Sequence, residues 1–159
     1  MQITILTVGK IKEKFYREAI DEYSKRLSRY CKLKIVEVED EKTPDGASEN
    51  VCNQIMQKEA EKIKKYMADD AYTFALAIEG KKYDSVAFSK KINNIGIQGK
   101  SHIQFIIGGS LGIYDELKRG CDELISFSDM TFPHQLMRVI LTEQIYRAYR
   151  IINNEPYHK

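Results

Sequence analysis

HIQFIIGGSLGIYDE, His102 to Glu116, decides the fold. Ile103–Ile107 is a short apolar run of the kind found in a strand covered on both faces, and it stops on Gly108 and Gly109, with Gly112 close behind. Tyr114–Gly120 then reads as a short helix. Working outward, Tyr72–Ile78 (YTFALAI) is a second buried strand, and Asp84 or Ser85 caps a helix running to Ile95 between the two. On the other side, Leu124–Phe127 reads as a strand and Pro133–Ile152 as a long helix with proline at its start.

The first half repeats the alternation. Gln2–Val8 (QITILTV) is a β-branched strand ending at Gly9, and Glu13–Tyr30 places Phe15, Ala19, Tyr23, Leu27 and Tyr30 at helical spacing. Lys32–Val38 reads as a strand and Thr43–Gly46 as a turn. Ser48 caps a helix that carries Val51, Ile55, Ile63 and Met67. Strands alternating with helices predict an α/β fold, a parallel-type sheet flanked by helices. With 159 residues and no linker or repeat, one domain over 1–159 is expected.

Composition narrows the class. The chain is 43% hydrophobic with only nine glycines and three prolines, which excludes a disordered chain. The longest run free of Asp, Glu, Lys and Arg, Ser101–Tyr114, is too short to span a bilayer. The opening MQITILTVGK lacks the basic start of a secretory signal, and Cys31, Cys52 and Cys121 share no repeated spacing. A reduced, cytoplasmic protein with no membrane association and no metal is expected. Residues 10–34 carry nine cations against four anions, whereas residues 35–70 carry five against ten. A basic first third on a near-neutral chain is a footprint for a polyanion, although an exposed helix face has the same composition.

Ligands in open α/β sheets bind beyond the carboxyl ends of the strands. The glycines after Ile107 are spaced GGxxG and follow a late strand, so neither the GxGxxG dinucleotide fingerprint nor a GxxxxGK[ST] phosphate loop is present. In LISFSDMTFPHQLMRVILTEQIYRAYR, a polar loop Ser128–Thr131 leads into Pro133-His134. His134 lies in the first helical turn, where the helix dipole disfavours an imidazolium. Arg138 and Arg147 fall on opposite sides of that helix, and Arg147 and Arg150 share a face. Tyr157, His158 and Lys159 bring a phenol, an imidazole and an ammonium to the chain end, where composition alone suggests a frayed tail.

Four separated segments carry a resemblance. ITILTVGKIKEKFYREAIDEYSKRL, FIIGGSLG, SFSDMTFPHQLMRVILTEQIYRA and EPYHK resemble, in order and over essentially the whole chain, the ribosomal RNA large-subunit methyltransferase H family. The resemblance implies a SPOUT fold, an α/β methyltransferase whose C-terminal segment forms a trefoil knot. It implies S-adenosylmethionine as cofactor and a homodimer as the active form. The implied reaction is N3-methylation of the pseudouridine at position 1915 of 23S ribosomal RNA within the ribosome.

Matched motif by motif, the resemblance places cofactor contacts at Leu76, Gly108, Phe127, Ser128, Asp129, Met130, Thr131 and Phe132. It places catalytic functions at His134, Arg147, Tyr157 and His158, and it recasts the tail as part of the active site. Pseudouridine N3 is a poor nucleophile until it loses its proton, so His158, supported by Tyr157, is expected to take or relay that proton. Arg147 is expected to steady the developing negative charge or a phosphate.

Overall fold

The computed structural model describes residues 1–159, with strand and helix alternating along the chain. The strands are β1 (Gln2–Val8), β2 (Lys32–Val38), β3 (Tyr72–Lys82), β4 (His102–Ile107) and β5 (Glu123–Ser126). The helices are α1 (Lys14–Leu27), α2 (Glu49–Lys64), α3 (Ser85–Ile97), α4 (Asp115–Arg119) and α5 (His134–Ile152). All strand pairings are parallel, in the order β2-β1-β4-β3-β5. Ile5 pairs with Ile35 on one side and Phe105 on the other, so β1 is an interior strand, and β4 between β1 and β3 is the central one.

Alternation along the strands feeds two cores. Ile3 and Ile5 of β1, Phe74 of β3 and Ile103 and Phe105 of β4 join Leu141 and Ile145 of α5 and Phe88 and Ile92 of α3. Phe74 and Phe105 stack with centroids 5.0 Å apart. Their neighbours Leu6, Val8, Ala75 and Ile106 face the other way, onto Ala60 and Ile63 of α2 and Leu117 of α4. Truncating a side chain such as Phe105, fully buried between strand and helix, costs about 3–5 kcal/mol.

The sequence expectations for β1 and β2 agree with the structure to the residue. Ser48 caps α2, its hydroxyl accepting from Val51 N at 3.2 Å, and Asp84 rather than Ser85 caps α3, accepting from Ala87 N at 2.7 Å. The expected ends of α3, β4, α4 and β5 shift by one or two residues, and three other boundaries bear on the site. Helix α1 ends at Leu27, where the Ser28 hydroxyl donates to Lys25 O at 2.6 Å and the chain turns. Pro133 is the N-cap of α5, with ψ 139°, and the first helical residue is His134.

Strand β3 runs past Ile78 to Lys82: it pairs with both β4 and β5 at Phe74 and Ala75, stays with β5 at Leu76, bulges, and rejoins β5 at Lys81. That return requires Gly80, since a Cβ there would sit 2.6 Å from the backbone nitrogen of Ile125.

The chain end is anchored. Asn154 takes a left-handed φ of 54° and reverses the chain after α5. Arg150 pairs with Glu155 and donates to Pro156 O at 2.7 Å, and Tyr30 OH donates to Glu155 at 2.6 Å. The Tyr157 ring packs edge-on against Tyr146 at 4.8 Å.

Candidate active site

A cavity of about 850 Å³ opens at the carboxyl ends of β3, β4 and β5. Its walls are three chain exits: residues 76–79 after the last β4 pairing, residues 107–113 after β4, and residues 125–134 after β5. The β4 exit is pressed against itself. Gly112 N donates to Gly109 O at 3.0 Å, and a Cβ on Gly108 would lie 2.6 Å from the backbone carbon of Gly112. Only glycine fits at position 108, so the chain there is bare main chain. The rim is charged: Lys118 bridges Glu79 at 2.7 Å and Asp115 at 3.0 Å. That bond to Lys118 is the main reason the Glu79 carboxyl titrates below its usual range.

The Ser128 hydroxyl accepts from Met130 N at 2.9 Å and so shapes the loop leading to α5. His134 then reaches the cavity from the first turn of the helix. Its imidazole is held below its usual pKa, first by burial and then by Arg138, against the opposing pull of Asp40 and Glu13. The expectation of a neutral imidazole agrees with this, with burial in the leading place.

A second group of functional side chains gathers at the far end of α5. Glu143 accepts from Arg147 Nη2 at 2.5 Å and from the Tyr157 hydroxyl at 2.9 Å. The Arg147 guanidinium lies over the Tyr157 ring at 4.7 Å, and its Nη1 is 3.3 Å from His158 Nδ1. Burial, helped by the bond to Glu143, drives the Tyr157 hydroxyl well above the ordinary phenol range. No three His, Cys, Asp or Glu side chains converge as a metal-holding group, and no helix is long and apolar enough to cross a membrane.

A family model described as "Predicted SPOUT methyltransferase" matches residues 1–158. Over all 159 residues, and over the full length of both chains, this chain is 62% identical to "Ribosomal RNA large subunit methyltransferase H" of Bifidobacterium adolescentis. It is 55% identical to the protein of that name from Clostridium kluyveri, again over the full length of both. The chain belongs to the SPOUT methyltransferase family.

Two solved structures share the fold at 12% identity. One is a Legionella pneumophila methyltransferase solved with the cofactor SAM, with a TM-score of 0.50 over 94% of this chain. The other is a methylase family protein of Haemophilus influenzae, with a TM-score of 0.51 over 96%. This chain spans 66% of the length of each.

In this SPOUT methyltransferase, Leu76, Gly108, Phe127, Ser128, Met130, Thr131, Phe132 and His134 all line the cavity. Asp129 does not. Its carboxylate turns outward to Lys82, 2.5 Å away on the end of β3. Arg147, Tyr157 and His158 lie together but apart from the cavity of the same chain. Arg147 is thirteen residues beyond His134, about 20 Å along the axis at ~1.5 Å per residue.

Two side chains given no site role from the sequence organise these ends. Glu143 precedes Arg147 by four residues, a spacing that marks a helical ion pair. Arg138 is the other: the sequence puts it on the face opposite Arg147, and the structure shows that face fully buried.

Proposed function

We propose that this protein uses S-adenosylmethionine to methylate N3 of the pseudouridine at position 1915 of 23S ribosomal RNA, on the assembled ribosome in the cytoplasm, as a homodimer. The observation that carries the reading is the cavity at three convergent strand ends, in a chain whose full-length relatives bear that ribosomal RNA methyltransferase name. Half of the residues lining the cavity are apolar and the β4 exit offers bare main chain, which suits an adenine ring and its polar edge. Leu76, Gly108, Phe127, Ser128, Met130, Thr131 and Phe132 would hold the cofactor, with Asp129 at the outer edge of the loop. The C-terminal trefoil knot belongs to the same proposal. It is supported by the close backbone approach of Gly80 to Ile125, which presses the end of β3 against the strand that leads toward α5.

When bound, S-adenosylmethionine supplies a methyl group already activated by its sulfonium sulfur. The remaining work is to hold the base and manage the charge left when N3 gives up its proton. The Tyr157 hydroxyl is committed as a donor to Glu143, so it serves as a platform for Arg147 rather than as a base. An arginine can only donate. His158 Nδ1 therefore accepts from Arg147, and in the neutral ring the proton sits on the outward nitrogen, Nε2. In this arrangement His158 donates through Nε2 to a pyrimidine carbonyl oxygen, whose charge grows as N3 is deprotonated. The proton itself leaves to water.

Because α5 separates the two ends, we place the tail of one protomer over the cavity of the other. The basic Lys10–Lys34 stretch supplies contacts to phosphates. Incubating ribosomes with labelled S-adenosylmethionine and mapping the 23S RNA by mass tests the reaction, with one added methyl on a single pseudouridine expected. Equal methylation of a protein-free hairpin would overturn the ribosome requirement. For the composite site, mixed dimers of Gly108→Ala and His158→Ala, each inactive alone, should regain activity. Confirmed mixed dimers without activity would place both ends in one chain.

A further inference from the structure

Arg138 is the largest fully buried side chain in the molecule, with 1% of its surface exposed. A guanidinium there needs acceptors, and it finds them at two strand ends. Its Nη2 donates to Val8 O at 3.0 Å and to Gly9 O at 2.6 Å, where β1 finishes. Its Nη1 donates to Glu37 Oε2 at 2.7 Å, near the end of β2. The same Glu37 oxygen accepts from Ile11 N at 3.2 Å, which ties the loop between β1 and α1 into the cluster. A lysine would present one ammonium where the fork of Arg138 uses two separate nitrogens, Nη1 toward Glu37 and Nη2 toward the Val8 and Gly9 carbonyls.

Arg138 also stands one helical turn after His134. A Cβ placed on Gly9 would be 3.5 Å from His134 Nε2, so the strand end that Arg138 grips is the surface against which the imidazole rests. Arg138 Nε has no partner, so the buried charge is only partly spent on its acceptors.

We propose that Arg138 is a positioning residue for methyl transfer. It clips the first turn of α5 to the ends of β1 and β2 and sets the His134 ring at the mouth of the cavity. This rests on the function proposed above and adds to it the residue that fixes the cavity's one histidine. The charged groups facing the ring are Arg138 on its own helix, Glu13 at the start of α1 and Asp40 after β2. Arginine opposes a positive imidazole and the two carboxylates favour it, in agreement with the lowered affinity of His134 for a proton. Glu37 reaches the ring only through Arg138.

The test is the NMR titration of the His134 imidazole in the full-length protein, read beside S-adenosylmethionine affinity and turnover on ribosomes. Arg138→Met should move the imidazole midpoint up. Glu37→Gln, which keeps the arginine and removes its counter-charge, should move it down. Arg138→Lys should hold the midpoint near that of the wild type while lowering turnover roughly tenfold, because charge is kept and the fork is lost. Glu37 sits at the surface end of the cluster, so its variant gives a reading even if Arg138→Met fails to fold. A midpoint unmoved in Glu37→Gln and in every folded Arg138 variant, with turnover tracking only the folded fraction, overturns the proposal. A wild-type protein that transfers no methyl strikes the proposed function alone, since the titration needs no substrate.

Discussion

The two ends of α5 are built from different materials. At the amino end, main-chain contacts set the shape: the β4 exit folded onto Gly112, and the Val8 and Gly9 carbonyls that receive Arg138. At the carboxyl end, side chains provide nearly everything, through Glu143, Arg147, Tyr157 and His158, braced by Tyr30, Arg150 and Glu155. A main-chain site is disturbed by adding atoms and tolerates changes of charge. A side-chain site behaves in the opposite way. The two ends should therefore fail differently when perturbed.

The largest effect is expected from a single methyl group at the amino end. Gly108→Ala forces its Cβ into the Gly112 backbone, and cofactor affinity measured by calorimetry should fall by more than ~100-fold, with the melting temperature lowered as well. Retained affinity within tenfold of wild type would mean that the β4 exit does not form the binding surface. Next comes Glu143→Ala at the other end, which frees Arg147 and the Tyr157 hydroxyl. Turnover should drop by roughly 100-fold while cofactor affinity changes less than about twofold, the split expected when positioning alone is lost. A matching loss of affinity would merge the two ends into one unit.

Acidification should sharpen the contrast by a smaller amount. His134 binds a proton less readily folded than unfolded, so the unfolded chain takes up more protons below the usual pKa of 6.5. Stability is thus fully present above that pH and declines as the pH falls toward the folded value. Melting curves from pH 7.5 to 5.5 should show a decline that shrinks in His134→Gln. An equal decline in that variant would assign the effect elsewhere. The smallest change is expected at the exposed Lys14–Glu18 pair on α1, 3.6 Å apart with 82% and 64% of the side chains exposed. Lys14→Ala should leave the melting temperature within about 1 °C, because water and salt screen such pairs.

Much of the frame could be read from the residues. QITILTV and KLKIVEV are bounded by Gly9 and by charged turns, and their β-branched pattern leaves little choice of ends. The caps Ser48 and Asp84 have local signatures because their partners lie three residues away. The extension of β3 to Lys82 had no such signal: EGKK looks like a loop and becomes a strand only because β5 is beside it. The strand order is likewise a long-range outcome.

At the site, the glycines and the loop after β5 stood out by composition, and the structure brings them to one cavity. Arg138 did not, because an arginine on a helix reads as a surface residue until the strand ends beneath it are known. Glu143 was within reach through its spacing to Arg147. The anchored tail was not, since it depends on Tyr30, more than a hundred residues earlier in the chain.

Helix α5 is the only covalent strut between its two ends, and its nineteen residues run without a break. Its length is therefore a gauge for the whole enzyme. One residue inserted near its middle would swing the terminal histidine by about 100° around the axis while lengthening the rod by only ~1.5 Å. Sequence drift along this rod is free to exchange one amino acid for another, but not to change their number.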